Sequence, residues 1–413
     1  MFDLGQFDNK GKTDFVDAIK ALGDDLASKT HIWISDAEQL NGIQSYYDDK
    51  PQTNILNYNF ALKGNIDASA LEDYKAIGGE SGYSGTFDGR DFRIIGLNAD
   101  ATNADNASSG IFGTLAGTVK DLRVYASKFF GGDNAGVIAA EVAGNGKITG
   151  VTTFGNRVEA ANAGGIAGTN AGTIESSAAS DSVITNGGTA GGIAGTNTGT
   201  IGAMEGTFVT AESAVTSGAN GAAAIGGVVG KNENSGKVNL ANSLGVTNGE
   251  GVDNVGGIAG DNSGTMYSLY NESVVTGKHN VGGVAGTNSG EIENAVNTTG
   301  ITATGDYAGG LAGVNSGTID SGRNTGTING KDYVGGNGRQ KRKGRRYRRH
   351  TQEPLERRHR GYIRQRQRRR HRGKQRRLDN KRQQSYQRRH SQRHEVRRRH
   401  SWREHRNDRK HPE

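Results

Sequence analysis

"VGGIAGDNSGTM" (residues 255–266), "VGGVAGTNSGEI" (281–292) and "AGGLAGVNSGTI" (308–319) decide how this chain folds. Their starts lie 26 and 27 residues apart, and "VGG" returns at Val334 after another 26. Earlier copies read "AGGIAGTNAGTI" from Ala163 and "AGGIAGTNTGTI" from Ala190. "IGGVVGKNENSGKV" from Ile225 carries an enlarged turn, and "AGVIAAEVAGNGKI" from Ala135 is a worn copy. Self-similarity at such a period marks a stacked architecture.

Each period divides into apolar pieces separated by turn chemistry. After Val281 the order is "TNSG", "EIENAVN", "TTG" and "ITATG". Pieces this short are strands rather than helices. One coil alone would expose both faces of its strands, whereas stacking pairs each strand with its copy in the next coil. We therefore expect an all-β chain, a parallel β-solenoid from about residue 110 to 336 with one coil per 26 or 27 residues in the regular repeats. Met266, Ile292 and Ile319 should form an inward column, each worth roughly 1.5–3 kcal/mol when fully buried. Asn262, Asn288 and Asn315 should line up at one turn, and Asn271, Asn297 and Asn324 at another. Stacked amides can bond along such columns; ordinary turn preference is the competing account of these asparagines.

At this period, "GGIAGTNxGTI" resembles the GLUG motif repeats of bacterial surface exoproteins. "IWISDAEQLNGIQ" (32–44), "FALKGNIDAS" (60–69), "YSGTFDGRDFRIIGL" (83–97) and "GIFGTLAGTVKDLRV" (110–124) are similar to the segments that precede such repeats in that family. The resemblance covers about residues 31–336. It implies a right-handed β-helix in a secreted or surface-anchored passenger of the filamentous-haemagglutinin or autotransporter type. The expected organisation is an N-terminal segment (1–30), a β-rich leader (31–126), the repeats (127–336) and a basic tail (337–413). Within the first segment, "TDFVDAIKALGDDLAS" (13–28) has the apolar spacing of a short amphipathic helix.

The tail is a different kind of sequence. Residues 337–413 hold 32 Lys and Arg against 7 Asp and Glu, while residues 1–336 hold 19 against 36. The net charges are thus +25 and −17. On composition the tail suits a disordered, nucleic-acid-binding arm. The genetic code favours another account, because runs of Gly and Ala codons read one nucleotide out of register become arginine. Codons for "VRRRHSWREHRNDRKH" (396–411), read one nucleotide later, permit YVGGIAGENTGTIENT, and those for "QRRRHRGKQR" (367–376) permit NVGGIAGNSG. Both are the chain's own repeat. We read the tail as an out-of-frame continuation that begins near Asn337, with no nucleic-acid partner.

Sites of chemistry are discounted one by one. The chain has no cysteine, which excludes disulfides and thiolate metal sites. "GESGYSG" (79–85) faintly resembles a trypsin-like serine loop, but neither His31 nor His279 sits in a matching motif. The "GGxAGxN" stretches lack the Gly-Lys-Ser/Thr of a phosphate loop. Asp133, Asp253 and Asp306 read as solvated turn residues rather than calcium ligands. The expectation is no enzyme, no catalytic residue, no metal and no cofactor. No apolar run is long enough to span a bilayer, and "MFDLGQFDNKGKTDF" lacks the features of a signal peptide. The leading functional expectation is a segment of a secreted or cell-surface adhesin. Its partners would be a host-cell or extracellular-matrix receptor, or other bacterial cells. The alternative is a non-catalytic part of a secreted serine-protease autotransporter passenger.

Overall fold

The computed structural model describes residues 2–3, 31–49, 51, 54–102, 108–203 and 208–335. The expected helix at 13–28 and the tail from 337 lie outside these. The short Ala-Gly strand shows the architecture most plainly. Phe112–Leu115, Ala139–Val142, Ala167–Asn170, Ala194–Asn197, Val229–Asn232, Ala259–Asn262, Ala285–Asn288 and Ala312–Asn315 form one parallel sheet in chain order. Adjacent strands in space are therefore one coil apart in sequence. The other walls follow the same rule. Val255–Gly256, Thr265–Asn271 and Val274–Gly277 pair with Val281–Gly282, Glu291–Asn297 and Ile301–Ala303 of the next coil. The chain is a β-solenoid of about ten turns.

The inward column forms as expected and runs further than expected. Val238, Met266, Ile292 and Ile319 are in register on successive coils. Towards the N-terminus it continues through Ile201, Ile174, Ile148, Val119, Phe87 and Phe60 to Ile32. All are buried except Ile319, which is half-buried on the last described coil. Parallel strands thus begin well before residue 110, and the ladder passes residue 126 without a break: Arg93–Ile95 pairs with Arg123–Tyr125, which pairs with the strand from Thr152.

The repeated glycines mark close approaches. A Cβ built on Gly164, Gly191, Gly226, Gly256, Gly282 or Gly309, the first glycine of each pair, would fall on the carbonyl oxygen three residues later. A Cβ on the second, Gly165, Gly192, Gly227, Gly257 or Gly283, would meet the carbonyl oxygen of the equivalent glycine in the next coil. Hydrogen in place of a side chain lets the two walls of one coil, and then two coils, come together. In the later coils the residue before the pair's apolar neighbour bends the chain through a left-handed conformation: Asn254, Asn280, Tyr307 and Tyr333 have φ of 58, 51, 65 and 55°.

One helix interrupts the leader, where strands alone were expected. Ala37–Asp49 is α-helical and buries Leu40, Ile43 and Tyr46. Its start is a capping arrangement: Gln39 N–H donates to Asp36 Oδ1 (2.9 Å), and Ser35 N–H donates to Gln39 Oε1 (2.8 Å). Gln44 Oε1 accepts the Gly78 N–H, tying the helix to the adjoining coil (2.8 Å). Below it, Tyr83 packs between Phe60 and Phe112, at centroid distances of 6.3 and 5.1 Å.

Substitutions at two glycines separate close approach from chain flexibility. Gly282→Ala should lower the unfolding free energy by about 1–3 kcal/mol through overpacking. Gly144→Ala, where no atom lies within 4 Å of the added Cβ, should be neutral or stabilising by about 0.4–1 kcal/mol. Urea unfolding of both variants checks this; equal effects would refute the packing account.

Candidate functional site

Two asparagine ladders run inside the solenoid. In the first, each Nδ2 donates to Oδ1 of the next coil's asparagine: Asn170 to Asn197, Asn197 to Asn232, Asn232 to Asn262, Asn262 to Asn288, and Asn288 to Asn315, at 2.7–2.8 Å. The expected trio is therefore the end of a six-residue ladder. Asn170 Oδ1 is buried without a partner, because the coil before supplies Val142 at that place. The second ladder is the expected one, Asn271 to Asn297 to Asn324, both at 2.7 Å. Each of these amides also donates to the carbonyl two residues ahead, at 3.0–3.1 Å, so it holds its own turn as well as its neighbour. These side chains are spent on the fold.

A third polar column had no signal in the repeat. At one corner the backbone N–H of a coil donates to a side-chain oxygen of the next: Leu97 to Ser127 Oγ, Ser127 to Asn156 Oδ1, Asn156 to Asp181 Oδ1, and Asp181 to Ser213 Oγ, at 2.9–3.2 Å. Asp181 is the one carboxylate in it and is 5% exposed. It also accepts from Asn156 Nδ2 (2.8 Å) and from Thr153 Oγ1 (2.5 Å). Burial pushes its pKa up to about 6, against the pull of these three donors. The Thr153 hydroxyl also lies 3.2 Å from the Gly165 carbonyl. It can donate there instead and accept a hydrogen bond from the carboxylic acid, so the site accommodates both states of Asp181.

The residues weighed for catalysis are not brought together. Ser84 Oγ donates to Asn57 Oδ1, and Ser81 Oγ accepts the Tyr47 hydroxyl. Tyr83, between them, is a core residue whose hydroxyl donates to the Tyr58 carbonyl (2.9 Å). His31 lies on a strand paired with Asn59–Leu62, its Nε2 buried without a partner. His279 Nδ1 accepts the Asp306 N–H at a distant turn (2.9 Å). Asp133 and Asp253 are exposed, and among the described residues no acidic or histidine cluster has the makings of a metal site.

The outer wall carries what remains. Arginine guanidiniums lie over aromatic rings from the leader into the first repeat coils: Arg90 over Trp33 (4.5 Å), Arg93 over Tyr125 (5.1 Å) and Arg157 over Phe130 (5.9 Å). Tyr125 meets Phe154 of the next coil edge to face at 5.9 Å, and Phe154 is 58% exposed. In register beside them stand Arg93 with Arg123 and Lys128 with Arg157. Like charges directly opposite each other on paired strands are unfavourable. Asp91 pairs with Arg123 (2.9 Å) and Glu159 with Arg157 (2.7 Å), while Arg93 and Lys128 have no carboxylate partner among the described residues. This cationic, aromatic band is the candidate site.

Comparison with known proteins adds little. No protein family matches the chain, and no curated protein does. Among solved structures, "a putative immunoglobulin A1 protease from Bacteroides ovatus" is similar over 60% of this chain and 76% of that one, with 19% identity and a TM-score of 0.45. A likeness at that level transfers neither fold nor activity. Among the described residues no helix is long and apolar enough to cross a membrane.

The titration of Asp181 has a defined sign. Its folded pKa of about 6 lies above the ordinary 3.8, so the folded state holds the proton more tightly. The resulting stability is complete below the ordinary value and is lost as pH rises through about 6, an amount of roughly 3 kcal/mol. Asp181→Asn removes this dependence. The wild-type minus variant unfolding free energy should therefore fall by that amount between pH 4 and pH 7. A difference independent of pH would show that the carboxylate titrates normally.

Proposed function

We propose that this chain is a non-enzymatic, GLUG-type segment of a secreted or surface-anchored bacterial adhesin. The later repeat coils form the stalk, and the leader with the first repeat coils bears the binding surface. The contrast between the two parts of the outer wall carries this reading. Seven of the 19 basic residues in the first 336 fall between Arg90 and Arg157, together with the arginine-over-aromatic pairs. The outward positions of the later repeat coils are mainly threonine, serine and acidic residues, such as Thr265, Glu291 and Glu293, with Val246 and Val274 stacked in register among them. A solenoid suits the task because it lengthens by whole coils while keeping its side walls constant. The partner is a receptor on a host cell or in the extracellular matrix, or the surface of another bacterium. Beads coated with the chain should adhere saturably to at least one of these three, above beads coated with albumin. Adhesion to none of them would overturn the proposal.

Residues 337–413 enter the same reading as an out-of-frame continuation of the stalk. The left-handed residue before the glycine pairs of the later coils supports it. The chain uses Asn254, Asn280, Tyr307 and Tyr333 there, and the shifted frame supplies the same two residue types, in NVGG and YVGG. Asparagine tolerates that conformation, while tyrosine seldom adopts it, so their recurrence before glycine pairs is specific. Sequencing the gene around codon 337 should reveal codons that spell the repeat one nucleotide later. Codons for Gln367–Arg376 and Val396–His411 that spell anything else would refute the frameshift.

A further inference from the structure

We propose that the cationic, aromatic band, which runs from the leader into the first repeat coils, binds a linear acidic polysaccharide, its carboxylates on the arginines and its sugar faces on the rings. This assigns a ligand class to the surface proposed above and rests on that reading. Arg93, Tyr125 and Phe154 stand on three successive coils, in contact along the solenoid axis. Coils are separated by the inter-strand spacing of about 4.8 Å. That rise is close to the length of one hexose residue in an extended polysaccharide, so a chain lying along the axis presents one sugar to each coil.

The chemistry of the band matches such a ligand. Phe154 is the only exposed phenylalanine among the described residues, and its ring offers an apolar face to sugar C–H groups. Arg93 and Lys128 lack a carboxylate partner among the described residues, and each faces a second cation one coil away. A carboxylate from outside would relieve both repulsions, and a guanidinium binds it through two parallel hydrogen bonds. The stacking of Arg93 on Tyr125 holds the guanidinium ready for that contact. Elsewhere the first 336 residues are strongly acidic, which disfavours a polyanion on the remaining walls.

The test uses the full chain, whose basic tail acts as an internal competitor. A uronic-acid hexasaccharide bearing a photoreactive group is cross-linked to the protein, and the sites are mapped by mass spectrometry. Cross-links should fall between residues 93 and 159 and drop at least tenfold in the double variant Arg93→Ala, Phe154→Ala. Both side chains are exposed, so an unchanged urea midpoint will confirm that the variant is folded. A neutral hexasaccharide should not label the band. Labelling confined to the tail, equal labelling by the neutral sugar, an undiminished signal in the variant, or stronger competition by a single-stranded oligonucleotide than by free uronate would each overturn the proposal. Beads that adhere while the band stays unlabelled would defeat this assignment alone. A labelled band on beads that adhere to nothing would defeat the adhesion reading and leave the sugar site standing.

Discussion

Everything in this molecule depends on how closely backbone can approach backbone at the paired glycines. The first glycine lets the chain turn from one wall to the next against the carbonyl three residues ahead, and the second lets a coil settle on its successor. A methyl group at either place would collide with main chain, which has no rotamer to yield. In the repeat coils from Gly164 onward, the separation of coils and the alignment of the side-chain columns follow from that contact. Because the same contact recurs on successive coils, at steps of 26 to 35 residues, an error in one coil would misplace its neighbours.

A solenoid interior has to dispose of the polar groups at its turns, and this one does so by linking coils rather than excluding polarity. Each ladder asparagine gives one bond to its own turn and, except at the ladder's last residue, one to the coil ahead. The net worth of such a bond is about 0.5–1.5 kcal/mol, yet leaving a buried partner unpaired costs about 1–3 kcal/mol. The ladder is therefore cooperative, since each amide satisfies a neighbour that would otherwise be stranded. Its direction is uniform, with donors facing the later coil. The unpaired Oδ1 of Asn170 marks the coil where the ladder begins.

The corner column obeys the same logic with a less regular set of residues. Ser127, Asn156, Asp181 and Ser213 share only an oxygen able to accept a backbone N–H from the preceding coil. A carboxylate meets that need at the cost of desolvation, which is why Asp181 holds its proton to a higher pH than an exposed aspartate. On the outer wall the constraint is lifted, since outward side chains are free of the register's demands. There the leader and first repeat coils accumulate arginine and aromatic residues, at the price of like charges on adjacent strands.

The sequence alone determined the stacked parallel architecture, because a period of 26 or 27 residues with glycine at fixed offsets has few other physical outcomes. Met266, Ile292 and Ile319, and both asparagine trios, were legible for the same reason: equal positions in equal coils must coincide in space. The leader was less legible. Its coils carry no common motif, so their strands before residue 110 could not be aligned by eye. Its helix was passed over too, although Asp36 and Gln39 had the spacing of a capping pair. Asp181 and the band from Arg93 to Glu159 had no repeating signature at all. Only the tertiary structure decided those, because which residue faces the interior and which cations become neighbours are set by the in-register stacking of coils of unequal length, and that register is a property of the assembled walls.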